Sequence, residues 1–323
     1  MLLQAKELEK SFQGKKVLHG ISLDVQKGEI FGIIGSSGAG KSTLLRCLSS
    51  LEEDFKGEVL FDGSPFSFKD AKKLREQRKR MGMIFQHFHL LKSRTVRENV
   101  LLPLEIEGKK EDVDEILSKV GLKGKENFSI ERLSGGEKQR VAIARALVMQ
   151  PKILFCDEAT SSLDPKSTEE ILQLLQHLNK TLGLTLVLIT HEMDVVRKIC
   201  HKVAVMSEGK VIEFGSTVEL FSDPKEPLTK SLVQKSSHED VTALKEKDSE
   251  ALLIRLHFTG DRTSSPLISW MIQQLNVEVN IVGGWMDRIE GVLVGSLTIA
   301  IDQKHSSKVF DFLKQHAMRY EVL

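Results

Sequence analysis

At residues 35–42 the chain reads Gly35-Ser36-Ser37-Gly38-Ala39-Gly40-Lys41-Ser42, which matches the pattern GxxxxGK(S/T) at every fixed position. A run typical of a buried strand, Glu29 to Ile34, precedes it, and leucines at helical spacing follow it from Ser42 to Ser50. A glycine-rich turn between a strand and a helix directs backbone N–H groups at phosphate oxygens, and the helix start favours anions. The stretch therefore predicts a nucleotide-phosphate loop that includes Thr43, with Lys41 on the β- and γ-phosphates of ATP and Ser42 on Mg²⁺.

A second motif places two carboxylates directly after another apolar run. Ile153-Leu154-Phe155-Cys156 is typical of a buried strand, and Asp157 and Glu158 follow it. Adjacent acids at such a strand end are hard to explain structurally, whereas phosphoryl transfer to water needs a magnesium ligand and a group that activates the water. We expect Asp157 to hold Mg²⁺ through water and Glu158 to polarise the attacking water as general base.

Between these two motifs lies a third, Leu133-Ser134-Gly135-Gly136-Glu137-Lys138-Gln139-Arg140. Leu-Ser-Gly-Gly resembles the signature motif of ABC ATPases, and it lies where that family places it. The resemblance implies that Ser134, Gly135 and Gly136 contact the γ-phosphate of ATP bound to the other subunit of a homodimer, so that neither half-site is complete in one chain. The family usually has Gln where this chain has Glu137, and an acid there also suits a helix N-terminus.

Four further positions resemble ABC motifs in the family's order. Gln86, after Phe85, resembles the Q-loop glutamine that senses magnesium close to the membrane subunit. Asp164 resembles the D-loop aspartate, and His191, after a predicted strand, resembles the switch histidine that bonds the γ-phosphate. Phe12 resembles the aromatic residue that stacks on adenine, although a core position is the alternative for it. The resemblance thus adds Gln86 and His191 to Lys41 and Glu158 as catalytic residues.

Strands alternate with helices through the first 235 residues. Short apolar alternations from Leu2 to Ile30 predict antiparallel strands, and the runs Lys152–Cys156 and Leu184–Thr190 predict parallel ones. Val96–Gln150 is mostly helical in pattern. The predicted fold class is α/β: a P-loop NTPase (ABC ATPase) domain at residues 1–235, with a mixed sheet and a helical subdomain.

A smaller domain is predicted after a polar stretch. Residues 236–250 are rich in charged and small polar residues, which predicts a linker. Beyond it, apolar patterns predict strands at 252–258, 277–282, 292–301 and 320–323 and helices at 266–275 and 306–316. The order β-α-β-β-α-β predicts a small α+β ferredoxin-like domain at residues 251–323.

More narrowly, the chain resembles the ATPase of methionine importers. The strings that carry this are Met83–Phe88, Leu90–Val96, Cys156–Thr160 and Thr190–Val196, together with a C-terminal domain of the NIL type. The resemblance implies integral membrane permease subunits, an extracytoplasmic substrate-binding protein and a peripheral position on the cytoplasmic face of the cell (inner) membrane. It also implies methionine as an allosteric ligand that favours separated ATPases.

Asn280, Ile281 and Met286 are the candidate contacts for that ligand. They are equally compatible with ordinary hairpin residues, Trp285 and Met286 are compatible with dimer packing, and the domain could dimerise without binding a ligand. Two other functions stay open: the ATPase of another transporter, for a different amino acid or for lipoprotein export, and a soluble ABC ATPase outside transport. A single phosphate loop without an inserted coiled coil favours transport.

The composition limits the remaining possibilities. Lys and Arg number 46 against 45 Asp and Glu, and this net charge of +1 gives no support to a nucleic-acid partner. The basic stretch Lys69–Arg80 lacks interleaved aromatics and is typical of a solvated helix face, with contact to lipid or nucleic-acid phosphates as the alternative. Cys47, Cys156 and Cys200 have no metal-type spacing, which predicts reduced thiols in a cytosol. Neither a signal peptide nor a membrane span is expected.

Overall fold

The computed structural model describes residues 1–236, 251–260 and 265–323. Contacts among them form two compact units, Met1–Phe214 and Gly215–Leu323. The predicted linker at 236–250 lies outside the described residues except for Ser236, so the predicted domain bounds stay a prediction. No helix in the described ranges combines the length and the apolar composition that crossing a membrane requires.

Six strands form the central sheet of the first unit: β3 (Ile30–Gly35), β6 (Met81–Ile84), β7 (Ile153–Asp157), β8 (Thr185–Ile189), β9 (Lys202–Ser207) and β10 (Lys210–Ser216). They lie in the order β10-β9-β3-β8-β7-β6, and the pairings from β9 to β6 are parallel. β3 and β8 are buried along their whole length, as continuous apolar runs predict. Because parallel strands end at the same edge of a sheet, the residues after β3, β6, β7 and β8 come together there.

A second, antiparallel sheet lies beside it and confirms the predicted N-terminal strands. Its members are β1 (Leu3–Phe12), β2 (Lys15–Val25), β4 (Lys56–Phe61) and β5 (Ser64–Pro65), in the order β2-β1-β4-β5. The largest fully buried side chains of both sheets, Phe31, Phe61 and Phe155, belong to one hydrophobic cluster. This shared core fixes the strand ends that carry the motifs.

Seven helices complete the first unit: α1 (Lys41–Leu48), α2 (Ala71–Lys79), α3 (Val96–Ile106), α4 (Asp114–Lys119), α5 (Gly135–Leu147), α6 (Pro165–Leu182) and α7 (Met193–Ile199). The predicted helical region contains α3 to α5 and a short 3₁₀ turn, Ile130–Arg132. On the basic helix α2, Arg75 and Lys79 both pair with Glu107, as a solvated helix face would. All three cysteines are buried free thiols.

The second unit has the predicted order of strands and helices after two preceding helices. Its elements are α8 (Thr217–Ser222), α9 (Pro227–Ser236), β11 (Ala251–Thr259), α10 (Leu267–Leu275), β12 (Asn280–Ile289), β13 (Val292–Asp302), α11 (Ser306–Gln315) and β14 (Arg319–Val322). The antiparallel sheet has the order β12-β13-β11-β14. Ile254 and Leu256 of β11 pack with Met271 of α10 and Phe312 of α11 in the core of this unit.

One strand of this unit lies later in the chain than predicted. The sequence pattern predicts a strand at 277–282, whereas β12 runs from Asn280 to Ile289. A bulge between Ile281 and Gly283 keeps the strand paired with β13 as far as Ile289. Glu290 and Gly291 both have positive φ, 49° and 82°, so a two-residue turn joins β12 directly to β13.

Candidate nucleotide site

The phosphate loop, residues 35–42, joins the buried end of β3 to the start of α1. Gly40, immediately before α1, has a left-handed φ of 93°. A Cβ atom on Gly35 would lie 2.2 Å from the carbonyl oxygen of Met206, so only glycine fits there. Two of the motif glycines are therefore required by this backbone path, which leaves the first N–H groups of α1 at the open edge of the sheet.

The Lys41 side chain folds back into this loop. Its Nζ atom donates to the carbonyl oxygens of Gly35 and Ser36, each at 2.9 Å, and only 8% of the residue is exposed. Burial lowers the pKa of Lys41, and the nearby Glu158 and Asp157 carboxylates counteract this. A phosphate beside the ammonium group would compensate the loss of solvation, because it adds a negative charge at the place where water has been removed.

The first carboxylate of the second motif contacts the loop directly. Asp157 is the last residue of β7, and its Oδ1 atom accepts a hydrogen bond of 3.2 Å from the Ser42 hydroxyl. Burial raises the pKa of Asp157, and the hydrogen bond from Ser42 counteracts the rise. A hydroxyl and a carboxylate side by side are oxygen ligands of the type that Mg²⁺ prefers.

The second carboxylate lies between the ends of two neighbouring strands. Glu158 Oε2 accepts from Gln86 Nε2 at 3.1 Å, and Glu158 Oε1 lies 3.2 Å from His191 Nδ1. Gln86 follows β6 and His191 follows β8, which are the two neighbours of β7. Glu158 itself has φ of 47°, an uncommon conformation for a side-chain-bearing residue and one that is concentrated at functional sites.

The signature loop, residues 133–136, begins helix α5. Ser134 is its N-cap and forms a capping box with Glu137: the Ser134 Oγ accepts from the Glu137 N–H at 3.3 Å, and Glu137 Oε2 accepts from the Ser134 N–H at 2.8 Å. Lys125 pairs with Glu137, and this contact together with the capping bonds lowers the pKa of that carboxyl. Glu137, which replaces the usual Gln, thus keeps the capping box with Ser134, and Lys125 neutralises its negative charge.

The predicted D-loop aspartate caps a helix as well. Asp164 accepts from the N–H and the hydroxyl of Ser167, at 3.0 and 2.6 Å, at the start of α6. A Cβ atom on Gly136 would lie 3.2 Å from Ser167 Oγ, so the two loops are neighbours. Within the described residues, no hydrogen bond or ion pair joins the signature loop or Asp164 to the phosphate loop. One chain thus brings together Lys41, Ser42, Gln86, Asp157, Glu158 and His191, and leaves this second group apart from them.

Phe12, at the end of β1, has an exposed ring rather than a core position. The residue is 43% exposed, and the Lys10 ammonium lies 4.8 Å from its ring centroid. Lys10 itself is 3% exposed and bonds Glu52 Oε1 at 2.8 Å. Sequence reasoning missed Lys10, although residues two apart on a strand share a face, and that spacing was a usable signal.

Of the three candidate ligand contacts in the C-terminal domain, two line the same groove and the third does not. Ile281 and Met286, 58% and 53% exposed, line a groove of about 520 Å³ beside β12 and the start of α10. We name it the C-terminal groove; its other lining residues include Phe258, Leu267 and Trp285. Asn280 pairs with Ala300 in the sheet and is not among the residues that line this groove.

A phosphate loop followed by two carboxylates, a glutamine and a histidine on one sheet edge defines a phosphate-loop ATPase. A family model for ABC transporters matches residues 18–161, and a model for the NIL domain matches residues 252–322. The chain belongs to the MetN family of ABC transporter ATP-binding proteins, as similarity to its members over nearly the whole chain shows.

Two of these relatives come from bacilli. The methionine import ATP-binding protein MetN 2 of Bacillus licheniformis is 48% identical over 315 residues, 94% of this chain and 92% of the relative. The methionine import ATP-binding protein MetN of Bacillus subtilis is 44% identical and covers 100% of this chain and 99% of the relative. The resemblance to methionine-importer ATPases is therefore confirmed.

Solved structures agree with the predicted fold of the first domain. The ATP-binding cassette MJ0796, in a dimeric post-hydrolysis state bound to ADP and Pi, superposes with a TM-score of 0.61 at 33% identity over 67% of this chain and 99% of that one. CbiO1 of Clostridium perfringens, part of the ABC transporter complex cbiONQ, gives 0.65 at 31% identity over 76% and 97%. The α/β fold class with a small antiparallel second domain is confirmed.

Proposed function

We propose that two copies of this chain hydrolyse ATP to drive methionine import through a membrane permease at the cytoplasmic face of the cell membrane. The observation that carries the proposal is the Glu158 carboxylate, held by Gln86 and His191 next to the Asp157–Ser42 pair. The substrate is supported by the names of relatives whose similarity extends through both units. An extracytoplasmic binding protein would deliver the methionine.

The nucleotide would bind with its phosphates in the phosphate loop and its adenine on the exposed ring of Phe12. Lys41 and the first N–H groups of α1 would hold the β- and γ-phosphates. Ser42 and Asp157, with Gln86 beside them, fit Mg²⁺, which supplies charge neutralisation between the phosphates when it is bound. Within the described residues, no group of three or more His, Cys, Asp and Glu could hold a metal, so the phosphates would complete the ligand set.

Glu158 is proposed to take the proton of the water that attacks the γ-phosphate. Its two oxygens already have neighbours, Gln86 on one side and His191 on the other, which fix the plane of the carboxylate. His191 is largely exposed and would donate to a γ-phosphate oxygen. Positioning and charge stabilisation are the main contributions of a protein to phosphoryl transfer, and these three side chains supply both.

The second half of the site is proposed to come from the partner copy. Ser134, Gly135 and Gly136 present the N-terminus of α5, which favours an anion, and Asp164 lies beside them. Sedimentation of Glu158→Gln with ATP should show dimers that dissociate when ATP is replaced by ADP. A Ser134→Phe change in the same background should prevent dimers, because its bulk would occupy the phosphate position. Monomers throughout would contradict the shared site.

The permease is proposed to dock in a groove beside Gln86. This docking groove, about 430 Å³, lies between β6, α3 and α5 and is lined in part by Phe85, Leu102, Ile106 and Met149. Ile106 is 65% exposed, more than is usual for a large aliphatic side chain. An apolar helix end from the permease would bury it, so Ile106→Asp should lower uptake while ATP binding persists. Leu51→Asp, at an exposed leucine that does not line this groove, is the matched control.

Uptake of labelled methionine tests the proposed substrate. Cells that lack the gene should lose most high-affinity uptake, the intact gene should restore it, and Glu158→Gln should not. Uptake of a second labelled amino acid serves as the control for general energisation. Equal methionine uptake with and without the gene would reject methionine as the transported substrate, while purified ATPase activity would be unaffected by that result.

The C-terminal groove is proposed as the regulatory methionine site. Its exposed apolar lining, Ile281 and Met286, suits the apolar and polarizable thioether side chain of methionine. Calorimetry on the full chain should show methionine binding that Met286→Ala weakens. Ile272→Ala, at an exposed isoleucine of α10, is the matched control. Unaltered binding in Met286→Ala would move the ligand elsewhere, and no binding by the full chain would leave dimer packing as the role of these residues.

A further inference from the structure

The C-terminal sheet has a second face that carries charges instead of apolar side chains. On β11, Ile254, Leu256 and Phe258 pack into the core under α10 and α11, so the alternation of the strand places Arg255 and His257 on the opposite face. That face is covered within the same unit by α8 and α9: the Phe221 and Trp285 rings meet edge to face with centroids 6.0 Å apart. Arg255 is only 5% exposed there. A buried cation on a covered sheet face needs partners that compensate its lost hydration.

Between this face and the two helices lies a cavity of about 210 Å³. Three cationic residues line it, Lys230 of α9, Arg255 of β11 and Arg319 of β14, and Glu321 is the one carboxylate among the lining residues that the structure describes. We call it the cationic cavity. Its charged part therefore carries an excess of positive charge, while the aromatic rings of Phe221 and Trp285 form part of the remaining wall.

Among the described residues, the ion pairs around the cavity leave the Lys230 ammonium without a counter-charge. Glu321 lies 3.8 Å from Arg255, and Asp223, just after α8, pairs with Arg319. Lys230 forms no ion pair within the described residues, although its side chain borders the cavity. The His257 imidazole is further support: burial and then the positive charges of Arg319 and Arg255 lower its pKa to about 4, so it is neutral at pH 7 and reports a positive local potential.

We propose that the cationic cavity binds a small carboxylate with a short apolar chain. Lys230 and Arg319 hold the carboxylate, and the Phe221 and Trp285 rings enclose the chain. The volume is smaller than the roughly 300–1,000 Å³ of pockets for drug-sized ligands, which limits the ligand to about ten non-hydrogen atoms. A free amino acid is disfavoured because its ammonium group would be repelled, so this site differs in chemistry from the C-terminal groove.

Butanoate titrated into the full chain tests the proposal, since it has the charge, the chain and the size. Calorimetry should show saturable binding with a dissociation constant on the order of 1 mM, and butylammonium, which has the same chain and the opposite charge, should not bind. Lys230→Gln should weaken butanoate binding about tenfold, because a charged hydrogen bond is lost. Lys314→Gln, on exposed α11, should leave it unchanged.

Thermal unfolding shows whether a loss of butanoate binding in a variant is caused by a folding defect. Lys230→Gln should unfold at the same temperature as the parent protein without ligand, and butanoate should raise the unfolding temperature of the parent protein and of Lys314→Gln only. No saturable binding, equal binding of butylammonium, or equal affinity in Lys230→Gln would each overturn the proposal. None of these results bears on ATP hydrolysis or on methionine uptake, so the two proposals fail separately.

Discussion

The nucleotide site and the cationic cavity each combine one buried cation, Lys41 or Arg255, with other charged side chains, but they balance the charges differently. At the nucleotide site Lys41 lies near two carboxylates, and every charged group has a neighbour of the other sign or a hydrogen-bond partner. Among the described residues, three cations and the Glu321 carboxylate line the cationic cavity, and a second carboxylate, Asp223, pairs with Arg319 beside it. The first arrangement suits a ligand that brings both signs, anionic phosphates with a divalent cation. The second suits a ligand that brings a negative charge alone.

The pKa shifts express the same difference. Burial lowers the pKa of Lys41 and raises that of Asp157, while the opposite charges of the site counteract both shifts. Phosphates and Mg²⁺ would favour the charged forms, because each brings a charge opposite to that of one of these two groups. At His257 burial and the positive charges of Arg319 and Arg255 lower the pKa together, which marks a region where positive charge prevails.

The largest expected effect comes from removing the charge of Glu158. Glu158→Gln should lower ATP turnover by about 10²–10⁴-fold, the usual contribution of a positioned general base, while ATP binding is retained. Steady-state phosphate release measures it. Glu192→Gln, one residue after His191, is the control and should keep normal turnover. Normal turnover in Glu158→Gln would show that the balanced charges of this site are structural.

A smaller effect is expected when His257 is titrated. Its pKa of about 4 lies below the ordinary value of about 6.5, so the unfolded chain binds the proton more tightly. Stability should therefore be unaffected above pH 6.5, fall by about 3 kcal/mol between pH 6.5 and 4, and change no further below that. The groups facing His257 are Arg255, Arg319, Lys230 and Asp223.

Fluorescence-monitored urea unfolding can isolate this unit. Both tryptophans, Trp270 and Trp285, lie in the second unit, so their emission reports on that unit alone. His257→Gln should flatten the pH dependence between pH 6.5 and 4. If the unfolding free energy of His257→Gln still fell by the same amount between pH 6.5 and 4, other groups would be responsible for the loss of stability. The idea that His257 lies in a positive potential would then be wrong.

A smaller effect than the one at His257 is expected at Lys10. Lys10→Met removes the ammonium group over Phe12 and should weaken ATP binding about threefold, since cation–π contacts contribute roughly 0.5–2 kcal/mol. Binding of tripolyphosphate, which has no base to stack, should stay the same. Lys6→Met, on an exposed part of the same strand, is the control. Equal weakening for both ligands would mean that Lys10 supports the loop and not the adenine position.

The smallest effect is expected at the signature loop. Glu137→Gln keeps a residue that can complete the capping box and loses only the ion pair with Lys125, so the free energy of unfolding should change by less than about 1 kcal/mol. Glu137→Ala, which removes the cap contact as well, should cost more. Chemical denaturation of the two variants compares them, and a larger loss in Glu137→Gln would show that the ion pair is the dominant contact.

Most of the nucleotide site was predictable because each part is a local motif. The phosphate loop, the carboxylate pair and the capped signature loop each depend on a few consecutive residues whose backbone geometry is dictated by glycine, by a strand end or by a helix start. The bounds of β12 were not predictable in this way. Its bulge and its two-residue turn depend on pairing with β13, and a periodic pattern within one segment does not report its partner.

The amino-acid sequence by itself determined the fold class, the two kinds of domain and the residues of the phosphate loop and the carboxylate pair. Only the tertiary structure decided that Gln86 and His191 flank Glu158, that Asn280 does not line the C-terminal groove, and that Lys230, Arg255 and Arg319 surround one cavity. The physical reason is the separation along the chain of the residues that interact. Motifs are set by neighbours along the chain, whereas these contacts join residues that are distant in sequence and meet only when strands pair and helices cover a sheet.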